Sequence, residues 1–348
     1  MTNMFRFVWI DDDIKRIENS DWAGIFRSGI ADMSAHLSAL QVTDDAINAL
    51  DKWASENQAN PPNLIIVDHN FTQVQNLSFG LKGSALAHLL RLRFSEVPMV
   101  CVSAQNIQSD KFDFEDLSEY TYIFSLNGLT HPHELERLFA IARDFPLVRL
   151  EHGRATREHL VKIIGAPTAD CSALMNILPE EFESKVVHGT SAHRVGRWIL
   201  NVLMKRPGFL YDTLDAATAL GVSESAFTSK LADRFSQAKY GGPFATTNRP
   251  LWWASSLIDT LYALLPDSPS RTSQRLGREL PGIEEVDFSK CYFSQAVEPP
   301  PDAVAYTDQS ASKREAVRLE FTEPLIERGD SLLGFSSRLK IKNTRRGS

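Results

Sequence analysis

Cysteine is scarce in this chain. Cys101, Cys171 and Cys291 are its only three in 348 residues and lie far apart. That rules out a disulfide framework and gives no paired metal-ligand spacing, so the three read as packing residues. Long apolar runs are missing too. No stretch approaches the roughly twenty apolar residues that a membrane-spanning helix needs, and the opening MTNMFRFVWIDDD meets acid before a signal-like run can develop. The expectation is a cytoplasmic protein with no membrane contact. Neither a phosphate-cradling glycine loop of the P-loop type nor a nucleophile elbow is present. The HPH at His131 and His133 offers two metal ligands without a third nearby, at an expected helix start.

Positive charge is short at the front of the chain. Residues 1–147 carry 11 Lys and Arg against 20 Asp and Glu, leaving 26 against 24 for the rest, for a total of −7. An acidic front and a nearly neutral back argue against tight nucleic-acid binding by the whole chain, and suggest a cation or a basic partner at the front.

What is present is ordinary globular material, 43% hydrophobic and 23% charged, enough to bury sizeable cores. The length calls for two or three domains. The pattern places them at 1–147, 148–265 and 266–348. In the first, FRFVWI, LSALQV, NLIIVD, VPMVCVSA and YTYIFSL read as strands. DDAINALDKWASEN, with Thr43 or Asp44 placed to cap it, GSALAHLLRLRF and HPHELERLFAIARDF read as helices. Apolar strands alternating with helices imply an α/β fold, a doubly wound five-stranded parallel sheet covered on both faces.

In such sheets chemistry collects at the carboxyl ends of the strands. FVWIDDD ends the first strand with Asp11 and Asp12, and NLIIVD ends another with Asp68. Three carboxylates from separated stretches would then meet at one rim and suit a hard divalent cation, Mg2+ above all.

These residues resemble bacterial response-regulator receiver domains. FVWIDDD is similar to the first strand and acidic pair, NLIIVDHN to the phosphoacceptor strand and loop, PMVCVSA to the fourth strand with its hydroxyl residue, and YTYIFS to the fifth with its switch aromatic. The resemblance covers about residues 4–145. It implies that Asp68 accepts a phosphoryl group from the phosphohistidine of a histidine kinase. Asp11, Asp12, Asp68 and the backbone carbonyl of Asn70 would hold Mg2+, Ser103 would hydrogen-bond the phosphoryl oxygens, and Tyr122 would respond by changing rotamer. Enzymatic activity beyond this self-catalysed transfer is not expected.

Two departures stand out. Ser125 and Leu126 occupy the positions where the family has a lysine and a proline, and serine cannot supply positive charge. Lys82 and Lys111 lie on loops that could reach inward. The stretch HNFTQVQNLSFGLK after Asp68 is longer than the family's turn and has Thr72 in place of proline. A long loop here can be a docking element or a cover over the pocket. The alternative reading is therefore a pseudo-receiver adaptor, docking a histidine-kinase-like or ATPase partner without being phosphorylated.

The remainder reads as a helical, winged-helix-like region. RVGRWILNVLMKRPG is an amphipathic helix. TLDAATALGVSESAFTSKLADRF has helix-turn-helix spacing, with Ala217 at the helix approach, Gly221 in the turn, Val222 as a plug and Ser223 as a cap. On DNA, the second helix would offer Ser225, Thr228, Ser229, Lys230 and Arg234. Residues 205–249 carry six basic and four acidic side chains, a weak balance for an independent binder, and protein docking is the other use of such a unit. RPLWWASSLIDTLYALL reads as one helix, with Trp252 and Trp253 in a core. AVAYTD and AVRLEFTE read as a short hairpin, and the basic terminus SSRLKIKNTRRGS as mobile. A homodimer remains open.

Overall fold

The computed structural model describes residues 4–19, 21–42, 46–71, 81–103, 118–148, 157–179, 182, 192–205, 208–293, 303–305, 316–324 and 339–341. Thr43, Asp44, Thr72 and Lys111 fall outside them, as does most of the loop after Asp68. The chain divides into two compact units. The first takes in Met1–Ile163, Glu180–Val202 and Pro243–Asn248, and the second Ile164–Pro179, Leu203–Gly242 and Arg249–Ser348.

The first unit opens with β1 (Phe5–Asp11), α1 (Ile14–Asn19), α2 (Asp21–Asp32), β2 (Ala35–Gln41), α3 (Ala46–Asn57) and β3 (Leu64–Asp68). The short β4 (Asn70–Phe71) and β5 (Leu81–Lys82) follow, then α4 (Gly83–Arg93), β6 (Met99–Ser103), β7 (Tyr122–Ser125) and α5 (Pro132–Asp144). The five longer strands form one sheet in the order β2-β1-β3-β6-β7, every neighbour pair parallel. This is the flavodoxin-like order, whose switch point lies between β1 and β3. The helices α1 and α2 supply a crossover that the sequence reading had left unassigned.

Burial explains the order. Every residue of β3 and β6 is buried, as befits interior strands covered on both faces, whereas in β2, at the edge, only Ala35 is buried and the rest are exposed or half-buried. Leu64, Ile65, Ile66 and Val67 are fully buried, each contributing about 1.5–3 kcal/mol through apolar burial. On one face Val8, Ile10, Val67, Leu86, Leu90 and Phe94 belong to a single core cluster. On the other, the Trp9 ring meets Trp22 at a tilt and Phe26 edge-on, both of α2.

The first unit also includes α6 (Arg157–Ile163) and, beyond the α7 helix (Thr168–Ile177) of the second unit, α8 (Ala192–Trp198); a π-helix (Ile199–Leu203) continues it to the first residue of the second unit's next segment. The expected helix there is thus confirmed, with an altered pitch.

The second unit is mostly helical. After β8 (Leu210–Tyr211), α9 (Thr213–Ala219) starts on an Asp212 cap. Gly221 turns the chain at φ +69°, where an added Cβ would strike the Gln274 carbonyl. The following helix, α10 (Glu224–Ala226), passes into a π-helix over Phe227–Leu231, and Ser223 caps it as expected by accepting from the Ala226 amide. Trp252 and Trp253 do not begin a helix. They form β9 (Trp252–Trp253), paired antiparallel with β8, and α11 (Ala254–Leu264) starts after them. Both indoles are buried, in keeping with a core role. Past α12 (Ser273–Arg278), Ala303–Ala305 pairs with Ala316–Arg318 as the expected hairpin. Leu339–Ile341 pairs with Thr322–Pro324, which corrects the expectation of a wholly mobile terminus: alternating Leu339 and Ile341 are enough for an edge pairing.

Candidate metal centre

At the switch point β1 and β3 are neighbours, with Ile10 level with Val67. The residues that end the two strands therefore emerge side by side. Asp11, Asp12 and Asp68 each bring a carboxylate oxygen to within 4.8 Å of the others. Asp11 is fully buried, Asp12 is 4% exposed and Asp68 9% exposed. Like charges at such a separation repel by about 3–4 kcal/mol per pair at an effective dielectric constant near 20, so the arrangement favours a cation among them.

The acidic group is held in position. The Trp9 indole Nε1 donates to Asp11 Oδ2 at 3.3 Å, and the Asp13 amide donates to Asp11 Oδ1 at 2.8 Å. The Val42 amide bonds the Asp11 carbonyl, and the Gln41 side chain donates to the Asp12 carbonyl. Trp9 was missed in the sequence. Its signal was period two, since residues i and i+2 of a strand share a face.

Behind Asp68 the chain returns tightly. Asn70 pairs with Lys82 and Phe71 with Leu81, and the Gly83 amide donates to the His69 carbonyl. The long loop is thus pinched at its base beside Asp68, and α4 begins at once. A Cβ on Gly83 would lie 1.9 Å from the Asp68 carbonyl oxygen, so only glycine admits this approach. Beneath Asp68, Cys101 is buried, and burial together with the nearby Asp68 charge pushes its thiol well above the usual range.

The other expected site residues occupy the same edge or its flank. Ser103 is buried at the end of β6, level with Ser125 of β7. Ser125 is exposed, and its Oγ accepts from the Gly128 amide at 3.0 Å, closing the turn into α5 rather than serving the acids. Lys82 is exposed. Tyr122 is largely buried, its ring edge-on to Phe124, and its hydroxyl accepts from Arg137 of α5 at 2.8 Å. Arg137 also pairs with Glu134, one turn away. His131 and His133 stack on each other at the start of α5, where His133 pairs with Glu134.

Of the residues proposed to touch DNA, Ser225, Thr228, Ser229 and Lys230 lie on the exposed face of α10 and its π-helical continuation, and Arg234 in the turn after it. Thr228 and Ser229 donate back to the carbonyls of Glu224 and Ser225, and Lys230 pairs with Asp287 at 2.5 Å. Ser225 and Arg234 are exposed. Hydroxyls turned into their own helix and a neutralised lysine weigh against groove reading.

No protein-family model matches the chain, and no curated protein matches it significantly. Among solved structures it is similar to response regulators. One is the response regulator protein TrrA from Thermotoga maritima in complex with Mg2+ and BeF, 15% identical over 35% of this chain and 86% of that one, with a TM-score of 0.25. A receiver protein from Sinorhizobium medicae is 13% identical over 41% of this chain and 98% of its own, with a TM-score of 0.27. A response regulator from Burkholderia pseudomallei with a phosphorylated aspartic acid, calcium ion and citrate is 14% identical over 49% and 92%, with a TM-score of 0.25. The first unit has a flavodoxin-like fold. The strand order, rather than these distant likenesses, establishes it. None of the described helices is long and apolar enough to cross a membrane.

Proposed function

We propose that the protein is an atypical response regulator of two-component-type signalling. Asp68 is the phosphoacceptor, and the C-terminal half is the output that binds a protein partner. The observation that carries this reading is the meeting of Asp11, Asp12 and Asp68 within 4.8 Å at the switch point of the sheet. Buried carboxylate oxygens from two strand ends fit a hard cation, and Asp11, Asp12, Asp68 and the carbonyl of Asn70 would hold Mg2+. When bound, Mg2+ supplies charge neutralisation for the transferring phosphoryl group.

Asp68 is the nucleophile. One of its oxygens attacks phosphorus, a P–O bond forms, the P–N bond of the donor phosphohistidine breaks, and the imidazole keeps the electron pair and takes a proton. Asp11, fixed by Trp9 and the Asp13 amide, keeps the rim acidic. Ser103, at the end of the adjoining strand, donates to a phosphoryl oxygen, and Tyr122 reports the change to α5 through Arg137. The donor is a histidine kinase, and the protein works in the cytoplasm.

A second reading rests on Ser125. With its hydroxyl engaged by Gly128 and no positive charge to give, this position favours a pseudo-receiver that docks a kinase-like or ATPase partner without phosphotransfer. Incubation with Mg2+ and a small phosphodonor separates the two readings. The signalling reading expects the mass to rise by one phosphoryl group in the wild type and not in Asp68→Ala. An unchanged mass under conditions that label an ordinary receiver favours the adaptor.

A further inference from the structure

Asp11 is clamped on both carboxylate oxygens. The Trp9 indole holds Oδ2 at 3.3 Å and the Asp13 amide holds Oδ1 at 2.8 Å. Its backbone is fixed as well, by the parallel ladder from β1 to β2 and by the Val42 amide on its carbonyl. Rotation of the carboxylate about its own bond therefore works against two donors at once.

The indole is no freer than the acid it holds. Trp9 is fully buried, and its ring lies 5.4 Å from that of Trp22 and 5.4 Å from that of Phe26, centroid to centroid. Phe26 is fully buried too. In a close-packed aromatic cluster the ring cannot turn without losing these contacts, so the N–H keeps its aim. Packing alone asks only for a large apolar side chain at position 9. The N–H is the part that reaches the acid, and an indole nitrogen can only donate.

Stiffness at one carboxylate bears on the choice of cation. Mg2+ takes oxygens at about 2.0–2.1 Å in a near-ideal octahedron, whereas Ca2+ takes more of them, at about 2.3–2.6 Å, and often chelates a carboxylate through both oxygens. Chelation requires the carboxylate to swing both oxygens towards one ion. With each oxygen of Asp11 tied to a donor that is itself fixed, that swing strains both bonds.

We infer that Trp9 is a positioning residue that sets which ion the acidic rim takes: by tying Asp11 it disfavours chelation and so favours Mg2+ over Ca2+. The inference rests on the metal centre proposed above and concerns its selectivity alone. The indole is neutral, so removing its N–H leaves the charge of the rim unchanged. A lost hydrogen bond alters the pull of Asp11 on both ions in the same direction, and the ratio of the two affinities isolates the fit.

The test is calorimetric titration of the full chain with Mg2+ and, separately, with Ca2+, in the wild type and in Trp9→Phe, which keeps a ring against Trp22 and Phe26. The wild type should prefer Mg2+, and in Trp9→Phe the ratio of the Ca2+ Kd to the Mg2+ Kd should fall about tenfold. A second measurement needs no variant. In the wild type the indole N–H proton of Trp9 should resonate further upfield with Ca2+ bound than with Mg2+ bound, because chelation draws Asp11 from it.

An unchanged ratio, including a parallel loss of both affinities, makes Trp9 a packing residue and overturns the inference. So does a wild type that holds Ca2+ as tightly as Mg2+, or an indole proton at the same shift with either ion. A wild type that binds neither ion overturns the metal centre itself.

Discussion

The two edges of the sheet in the first unit handle charge in opposite ways. At the carboxyl edge of the sheet, three acids crowd together, which is the condition of a site. Before the amino end of β7, residues 118–121 are held by partners at nearly every turn. Arg91 pairs with Glu119 and also bonds its carbonyl, His193 and Arg197 both donate to the Ser118 carbonyl, and Asn201 donates to that of Thr121. This end is scaffold, anchoring the helix that begins at Ala192. Similar charge density therefore means different things: where donors match acceptors the cluster fixes structure, and where acids accumulate their mutual repulsion favours a cation.

The sharpest way to break the contrast is Gly83→Ala. Its methyl group would overlap the Asp68 carbonyl, so α4 must shift. A loss of about 2–3 kcal/mol in denaturant titration is expected, together with loss of Mg2+ response.

His193 tests the scaffold end. Burial, and next the Arg91 charge, lower its pKa from 6.5 to about 3, so it is neutral in the fold, with Nδ1 at 3.2 Å from Thr121 Oγ1. The unfolded chain binds the extra proton between these values. The His193 contribution is therefore complete above pH about 6.5 and falls as pH drops towards 3, by about 2 kcal/mol between pH 6.5 and 5. Denaturation across this range should be flatter in His193→Asn than in wild type, and equal slopes would contradict the burial argument.

At the acidic end, Asp12→Asn relieves repulsion. It should raise the metal-free melting temperature, with a gain of about 1 kcal/mol, while abolishing any gain on adding Mg2+. Ser125→Lys asks whether missing charge defines the difference from ordinary receivers. It should strengthen beryllofluoride binding severalfold despite losing the Gly128 bond. The smallest effect belongs to Lys230→Ala, an exposed pair partner, whose melting temperature should stay at the wild-type value.

Much of the first unit was legible because interior parallel strands are apolar throughout: LIIVD and MVCVS stand out as runs bounded by polar loops. The acids were legible because strand-end position follows from those runs. Less visible was whatever depends on long-range contact. Trp9 reads as a core residue until its indole is seen on Asp11, and Glu136 as a solvated helix residue until Thr247 arrives over a hundred positions later. Trp252 and Trp253 had helical company in sequence, but pairing with Leu210 and Tyr211 overrode it. The return of residues 180–202 and 243–248 to the first unit has no local signal at all.

Calorimetric titration of the full chain with Mg2+, beside Asp12→Asn and Asp68→Asn, tests the central claim most directly. One ion should bind the wild type, and each substitution should weaken it at least tenfold. Heat that is the same in all three proteins, or none at millimolar Mg2+, would contradict a metal centre built by Asp11, Asp12 and Asp68.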